Sequence, residues 1–189
     1  MSNLLGRNIE RLNALLAKAE KLQPQVTAAA NLIATALLGG NKLLACGNGG
    51  SAADASHLTT EFVSRFDRER RPFPAISLTA HGGDLTAIGN DYDFRDLFAR
   101  QVNAFGKPGD VLAAFTTSGR SENVRRALLA AGEASIHSIA FLGGDGGASK
   151  GIADVELLVP SEITARIQEV HKLLLHTICE IVETRIQES

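Results

Sequence analysis

The sequence predicts an α/β domain, a three-layer doubly wound parallel sheet with N-terminal helices. Three observations carry this. Five short apolar runs have the length of strands: KLLAC (42–46), AISL (75–78), VLAAF (111–115), HSIAFL (137–142) and VELLV (155–159). Helix-length stretches lie between several of them, over 52–65, 93–105 and 121–131, and strands alternating with helices form parallel sheets covered on both faces. The runs are continuously apolar rather than alternating, which fits burial on both sides. The 189 residues suffice for one ordinary domain.

The elements follow in order. Residues 2–21 carry Leu4, Leu5, Ile9, Leu12, Leu15 and Leu16 on a helical stripe that reaches Leu22. Gln23-Pro24-Gln25 breaks it, and 26–38 reads as a second helix ending at Gly39-Gly40. Residues 1–40 are therefore expected to form a helical hairpin and 41–189 the sheet domain, a single domain overall. DRERR (67–71) reads as a solvated charged loop and GND (89–91) as a turn. A last helix covers about 163–187. Cys46 and Cys179 are far apart in sequence and read as two buried thiols.

Composition narrows the function. A formal net charge of −2 and no Trp argue against nucleic acid as a partner. The start, MSNLLGRNIERLN, scatters charges among apolar residues, unlike a signal peptide, and no apolar run approaches a membrane span. A cytoplasmic protein is the expectation.

Two strand ends carry unusual loops. CGNGGS (46–51) follows the first run and TTSGRS (116–121) the third. Ligands bind at the carboxyl ends of such strands. A helix N-terminus offers free N–H donors, glycines admit a close backbone approach, and hydroxyls add neutral donors. Thr116, Thr117, Ser118 and Ser121, with Gly119 at the turn, suit a phosphate monoester. The lysine of a P-loop is missing. Ordinary N-capping is the competing explanation for either loop alone. His57 and Glu61, four apart, share a helix face and form either a divalent-metal pair or a surface pair. Gln168 and His176 stand about 80° and about 12 Å apart on a straight helix, awkward for one metal unless both stretch or a second subunit contributes. His171 reads as a packing or solvated histidine.

CGNGGSAADASH, LTAIGNDYDF, FARQVNAFGKPGDVL, TTSGRSENV and VPSEITARIQEVH…H together resemble the phosphoheptose isomerase group of the SIS (sugar isomerase) family, from about residue 40 to 183. The resemblance implies a flavodoxin-like SIS domain and a cytoplasmic homotetramer with sites at subunit interfaces, which gives the 1–40 hairpin an oligomerisation role. It implies conversion of sedoheptulose 7-phosphate to D-glycero-D-manno-heptose 7-phosphate through an enediol, the first step toward ADP-heptose and lipopolysaccharide. It implies one zinc ion per subunit held by His57, Glu61, Gln168 and His176. Substrate contacts carry over to Asn48, Gly49, Gly50, Ser51, Asn90 and Asp91. Thr116, Thr117, Ser118 and Ser121 would take the phosphate, with Arg65, Glu61 and Gln168 reaching the sugar. Glu61 would be the base and His176 the acid, and metal ligation by Glu61 would compete with its basicity.

The chain departs from the pattern at Thr79-Ala80-His81-Gly82-Gly83-Asp84, at Leu142, and at Arg120, which adds a cation to the phosphate loop. Two other classes compete. Some SIS proteins bind the bacterial replication initiator without chemistry, but they lack the acid–base pair present here. SIS regulators carry a DNA-binding domain for which this chain has no room.

Overall fold

All five apolar runs form strands, and all four pairings between them are parallel. The computed structural model describes residues 3–188. Helices α1 (Leu4–Ala19) and α2 (Gln23–Leu38) lead into β1 (Leu43–Gly47) and α3 (Gly50–Val63). Then come β2 (Ala75–Ser77), α4 (Gly82–Asp91), α5 (Leu97–Phe105), β3 (Val111–Thr116), α6 (Glu122–Glu133), β4 (His137–Gly143), β5 (Val155–Val159) and α7 (Thr164–Gln187). The strand order is β2-β1-β3-β4-β5.

Successive residues of a strand point to opposite faces, and the core divides accordingly. Leu43, Ala45, Val111, Ala113 and Phe115 face a layer built with α1, α2, α3 and α7. Leu44, Cys46, Leu112 and Ala114 face α5 and α6. Ala29, Ala30, Ile33 and Leu37 of α2 are buried in the same cluster as the sheet, so residues before 41 share its core. Both cysteines are free and buried. Among the described residues no helix is long and apolar enough to cross a membrane.

Several boundaries move for physical reasons. The expected break at 23–25 lies earlier: a 3-10 turn spans Glu20–Leu22, and Pro24 sits in the first turn of α2, where its missing N–H costs nothing. GND is not a separate turn but the end of α4, which seats Leu85 and Ile88, one turn apart, against the core. The 93–105 helix is divided, because the Asp93 carboxylate accepts from Arg95 N–H and caps a 3-10 turn before α5. The helix expected over 52–65 runs instead from Gly50 to Val63, so Arg65 lies beyond it.

His171 is a packing histidine. Its Nε2 lies 3.0 Å from Leu142 O and donates to it, Nδ1 has no partner among the described residues, and the rings of Phe115 and Phe141 stand against it. Burial pushes its pKa from 6.5 to about 4, against the smaller upward pull of that hydrogen bond. Between those values the unfolded chain binds a proton that the folded chain refuses, so stability falls as pH drops through this window. The expected loss is about 3 kcal/mol. Urea unfolding at pH 7 and pH 4 should show it, and His171→Leu should flatten that part of the profile. An equal loss in the variant would assign it elsewhere.

Candidate active site

The strand order reverses direction between β1 and β3, and the crevice at such a switch point is where open α/β sheets bind ligands. The two glycine- and hydroxyl-rich loops leave these two strands side by side. In the first, Gly49 caps α3 with φ 56°, a left-handed conformation that favours glycine. Asn48 and Asn123 exchange amide hydrogen bonds of 2.8 and 2.9 Å across the crevice and so tie the first loop to the start of α6.

In the second loop the hydroxyls divide the work. Thr116, 3% exposed, accepts from Gly119 N–H through Oγ1 and shapes the turn. Ser118 Oγ accepts from Arg120 N–H. Among the described residues no partner takes the hydroxyls of Thr117 or Ser121, and Ser121 caps α6 without a side-chain bond. The first backbone bonds of α6 run from Val124 and Arg125 N–H to Ser121 O, which leaves the preceding N–H groups facing the loop. Gly119 has φ 64°, and a Cβ there would overlap Gly146 O. Its carbonyl accepts from Ser149 N–H, so the β3 and β4 loops are locked together. Arg120, at the rim, pairs with Asp145 at 2.7 Å. The backbone N–H of Gly147, then Arg120, hold the Asp145 carboxyl below its usual value.

A second cluster lies where α3 and α7 meet. His57 Nε2 is 2.6 Å from Glu61 Oε1 and 3.3 Å from His176 Nε2. One ligand atom from each of the three lies within 4.8 Å of the others. Two imidazoles and a carboxylate that leave a fourth position open are the donor set of a catalytic zinc site. Tetrahedral nitrogen ligands at about 2.0–2.1 Å stand about 3.3 Å apart, the separation of the two histidine nitrogens. The residues present therefore fit a divalent metal once Glu61 withdraws slightly from His57 and the His57 proton moves to Nδ1, with Lys172 released from that nitrogen onto Asp54. Burial, then His57 and Lys172, push the His176 pKa down. Phe66 covers it, with ring centroids 5.6 Å apart.

The remaining expected residues divide by position. Gln168 lies against Gly50, whose Cβ would overlap the Gln168 amide. That contact is at the α3 N-terminus, about two turns before His57. Arg65, exposed, donates to Asp67 O and reaches Glu69. Asn90 and Asp91, also exposed, bond to each other at the end of α4. In one chain, then, the loops and Gln168 form one group, the triad another, and Arg65, Asn90 and Asp91 lie apart from both.

The family model described as "SIS domain" matches residues 8–143. The chain belongs to the SIS domain family. A phosphoheptose isomerase of Shewanella loihica is 49% identical over 87% of this chain and 85% of its own length. The structure of a phosphoheptose isomerase from Neisseria gonorrhoeae superposes with a TM-score of 0.90 at 42% identity, covering 95% of this chain and 97% of that one. One from Francisella tularensis gives 0.93 at 38%, covering 97% and 100%. With relatives this similar over nearly their whole length, this SIS chain is an isomerase and acts on a sugar phosphate.

Some site residues of the SIS chain had no signature in sequence. Lys172 Nζ lies 2.9 Å from His57 Nδ1 and 2.8 Å from Asp54 Oδ1, and it orients the imidazole that Glu61 contacts. Asp54 is 5% exposed, and its other oxygen has no partner among the described residues. Asp54 and His57 share one α3 face by their three-residue spacing, the one available hint. Lys172, in a mixed helix, carried none.

Proposed function

We propose that the chain converts sedoheptulose 7-phosphate to D-glycero-D-manno-heptose 7-phosphate through an enediol, opening the route to ADP-heptose for lipopolysaccharide cores or related glycans. The observation that carries this is the convergence of His57, Glu61 and His176, the first two on the helix that leaves the CGNGGS loop, in a chain whose relatives bear the phosphoheptose isomerase name.

The phosphate sits on Thr117, Ser118 and Ser121 and on the free N–H groups at the start of α6, where the helix dipole favours a dianion. Asn48 to Ser51 and Gln168 line the sugar chain. Glu61 takes the proton that moves between C1 and C2, and His176 holds the proton exchanged with the oxygens. Burial, then the neighbouring His57 and Lys172, lower the His176 pKa and so favour its neutral imidazole. His57, Glu61 and His176 would hold zinc, with Gln168 as a fourth ligand if its amide leaves Gly50 or comes from a second subunit. When bound, the metal supplies positive charge that polarises the carbonyl and stabilises the enediolate.

A homotetramer in the cytoplasm belongs to the same reading. Association between copies is supported by the apolar residues that α1 leaves exposed, Leu4, Leu5 and Ile9. Asn90, Asp91 and Arg65 would then act at a neighbour's site.

Metal removal tests the reading. Chelation should lower turnover by at least about 100-fold, the several kcal/mol that a Lewis acid contributes, and zinc should restore it. Full activity in the metal-stripped protein would remove zinc from the mechanism and leave Glu61 as a simple base.

A further inference from the structure

The segment after α3 is a loop that exposes Asp67, Arg68 and Glu69, as DRERR suggested, but draws Arg70 inside. It is built around a buried carboxylate. Glu183 of α7 is 2% exposed. Its Oε1 accepts from Phe66 N–H at 2.9 Å and Arg70 Nε at 3.1 Å. Its Oε2 accepts from the N–H groups of Asp67 and Arg68, each at 3.0 Å.

Two of that carboxylate's four partners, Arg70 and Phe66, lead to the triad. The Arg70 side chain is 5% exposed. Its Nη2 donates to Glu61 O at 2.5 Å and its Nη1 to Phe62 O at 3.1 Å. Those carbonyls belong to the last turn of α3, where acceptors lack helical partners and a cation is favoured. Phe66, held at its N–H by Glu183, lays its ring against His176. His176 and Glu183, seven residues apart, share one face of α7. One carboxylate thus reaches Glu61 through Arg70 and His176 through Phe66.

We propose that Glu183 is a positioning residue for the His57–Glu61–His176 centre, fixing the separation of α3 and α7 at the point where their ligand atoms converge. This rests on the reading of that triad as the reaction centre. The protein holds an internal control. Asp110 is fully buried, accepts from the N–H groups of Lys42 and Lys107, and pairs with Lys42 Nζ at 2.5 Å. It is a chemically similar staple, but it sits at the amino ends of β1 and β3, the opposite edge of the sheet from the loops.

The experiment compares Glu183→Gln with Asp110→Asn in the full chain. Zinc binding to metal-stripped protein is measured by calorimetry, the His176 ring signals by NMR, and kcat and KM with sedoheptulose 7-phosphate. In Glu183→Gln, zinc should bind about 10- to 100-fold more weakly, as when outer-shell partners of metal ligands are lost. The His176 signals should shift, and kcat should fall more than KM rises. Asp110→Asn should lower only the melting temperature. If Glu183→Gln loses stability but keeps wild-type zinc affinity and His176 signals, the proposal is overturned. Should Glu183→Gln not fold, Phe66→Leu, a mild change of volume, carries the test. It must move the His176 signals and weaken zinc, and no change in either overturns the proposal. A wild type that turns over no sedoheptulose 7-phosphate sinks the functional reading alone, and the His176 signals of Glu183→Gln still decide the positioning.

Discussion

Glu61→Gln should lower kcat by at least about 100-fold, the contribution of a well-placed acid–base group. The amide keeps the shape of the carboxylate and still offers an oxygen to His57 Nε2–H, now 2.6 Å from Glu61 Oε1. The fold should therefore survive with little loss. An amide cannot accept the C–H proton, and it is a poorer metal ligand, so both proposed roles of Glu61 fail together. Zinc affinity separates them. If zinc binds normally and turnover still collapses, the base role dominates; if both collapse, ligation dominates. His176→Gln should lower kcat by a similar factor. Turnover near wild type in either variant would remove that residue from the mechanism.

Gly119→Ala should have the second largest effect, on KM rather than kcat. At φ 64° an L-residue costs of order 1–3 kcal/mol wherever it is placed. Here the added methyl also overlaps the backbone oxygen of Gly146, which no side-chain rotation relieves. The β3 and β4 loops must part, and Thr117, Ser118 and Ser121 lose their common focus. KM for the sugar phosphate should rise at least about tenfold, the worth of a single charge-assisted hydrogen bond. Gly49→Ala is the comparison. Its φ of 56° brings the same kind of strain, but a Cβ there meets nothing within 4 Å. It should be clearly the milder of the two. Equal effects would mean that backbone strain, not the contact with Gly146, governs the loop.

Most of the fold was legible because its signals are local and repeated. Five continuous apolar runs separated by helix-length stretches leave little choice but a parallel sheet, and the glycines and hydroxyls after the first and third runs mark the β1 and β3 ends. The misreadings come from tertiary context. GND looked like a turn on residue type alone, yet Leu85 and Ile88 gain enough burial to carry a helix through Gly89. DRERR looked solvated because its charges are dense, yet Arg70 is drawn inside by Glu183, more than a hundred residues away. Lys172 and Asn123 are invisible for the same reason, since their partners His57 and Asn48 come from distant segments. His57 and Glu61 showed in their spacing, whereas the arrival of His176 beside them required the packing of α7 on α3.

The most direct measurement is incubation of the purified, zinc-loaded protein with sedoheptulose 7-phosphate, following the aldose product by NMR in deuterated water. Formation of D-glycero-D-manno-heptose 7-phosphate with solvent deuterium at C2, abolished by Glu61→Gln, is the expected result. No aldose from the zinc-loaded wild type would contradict the heptose-phosphate reading.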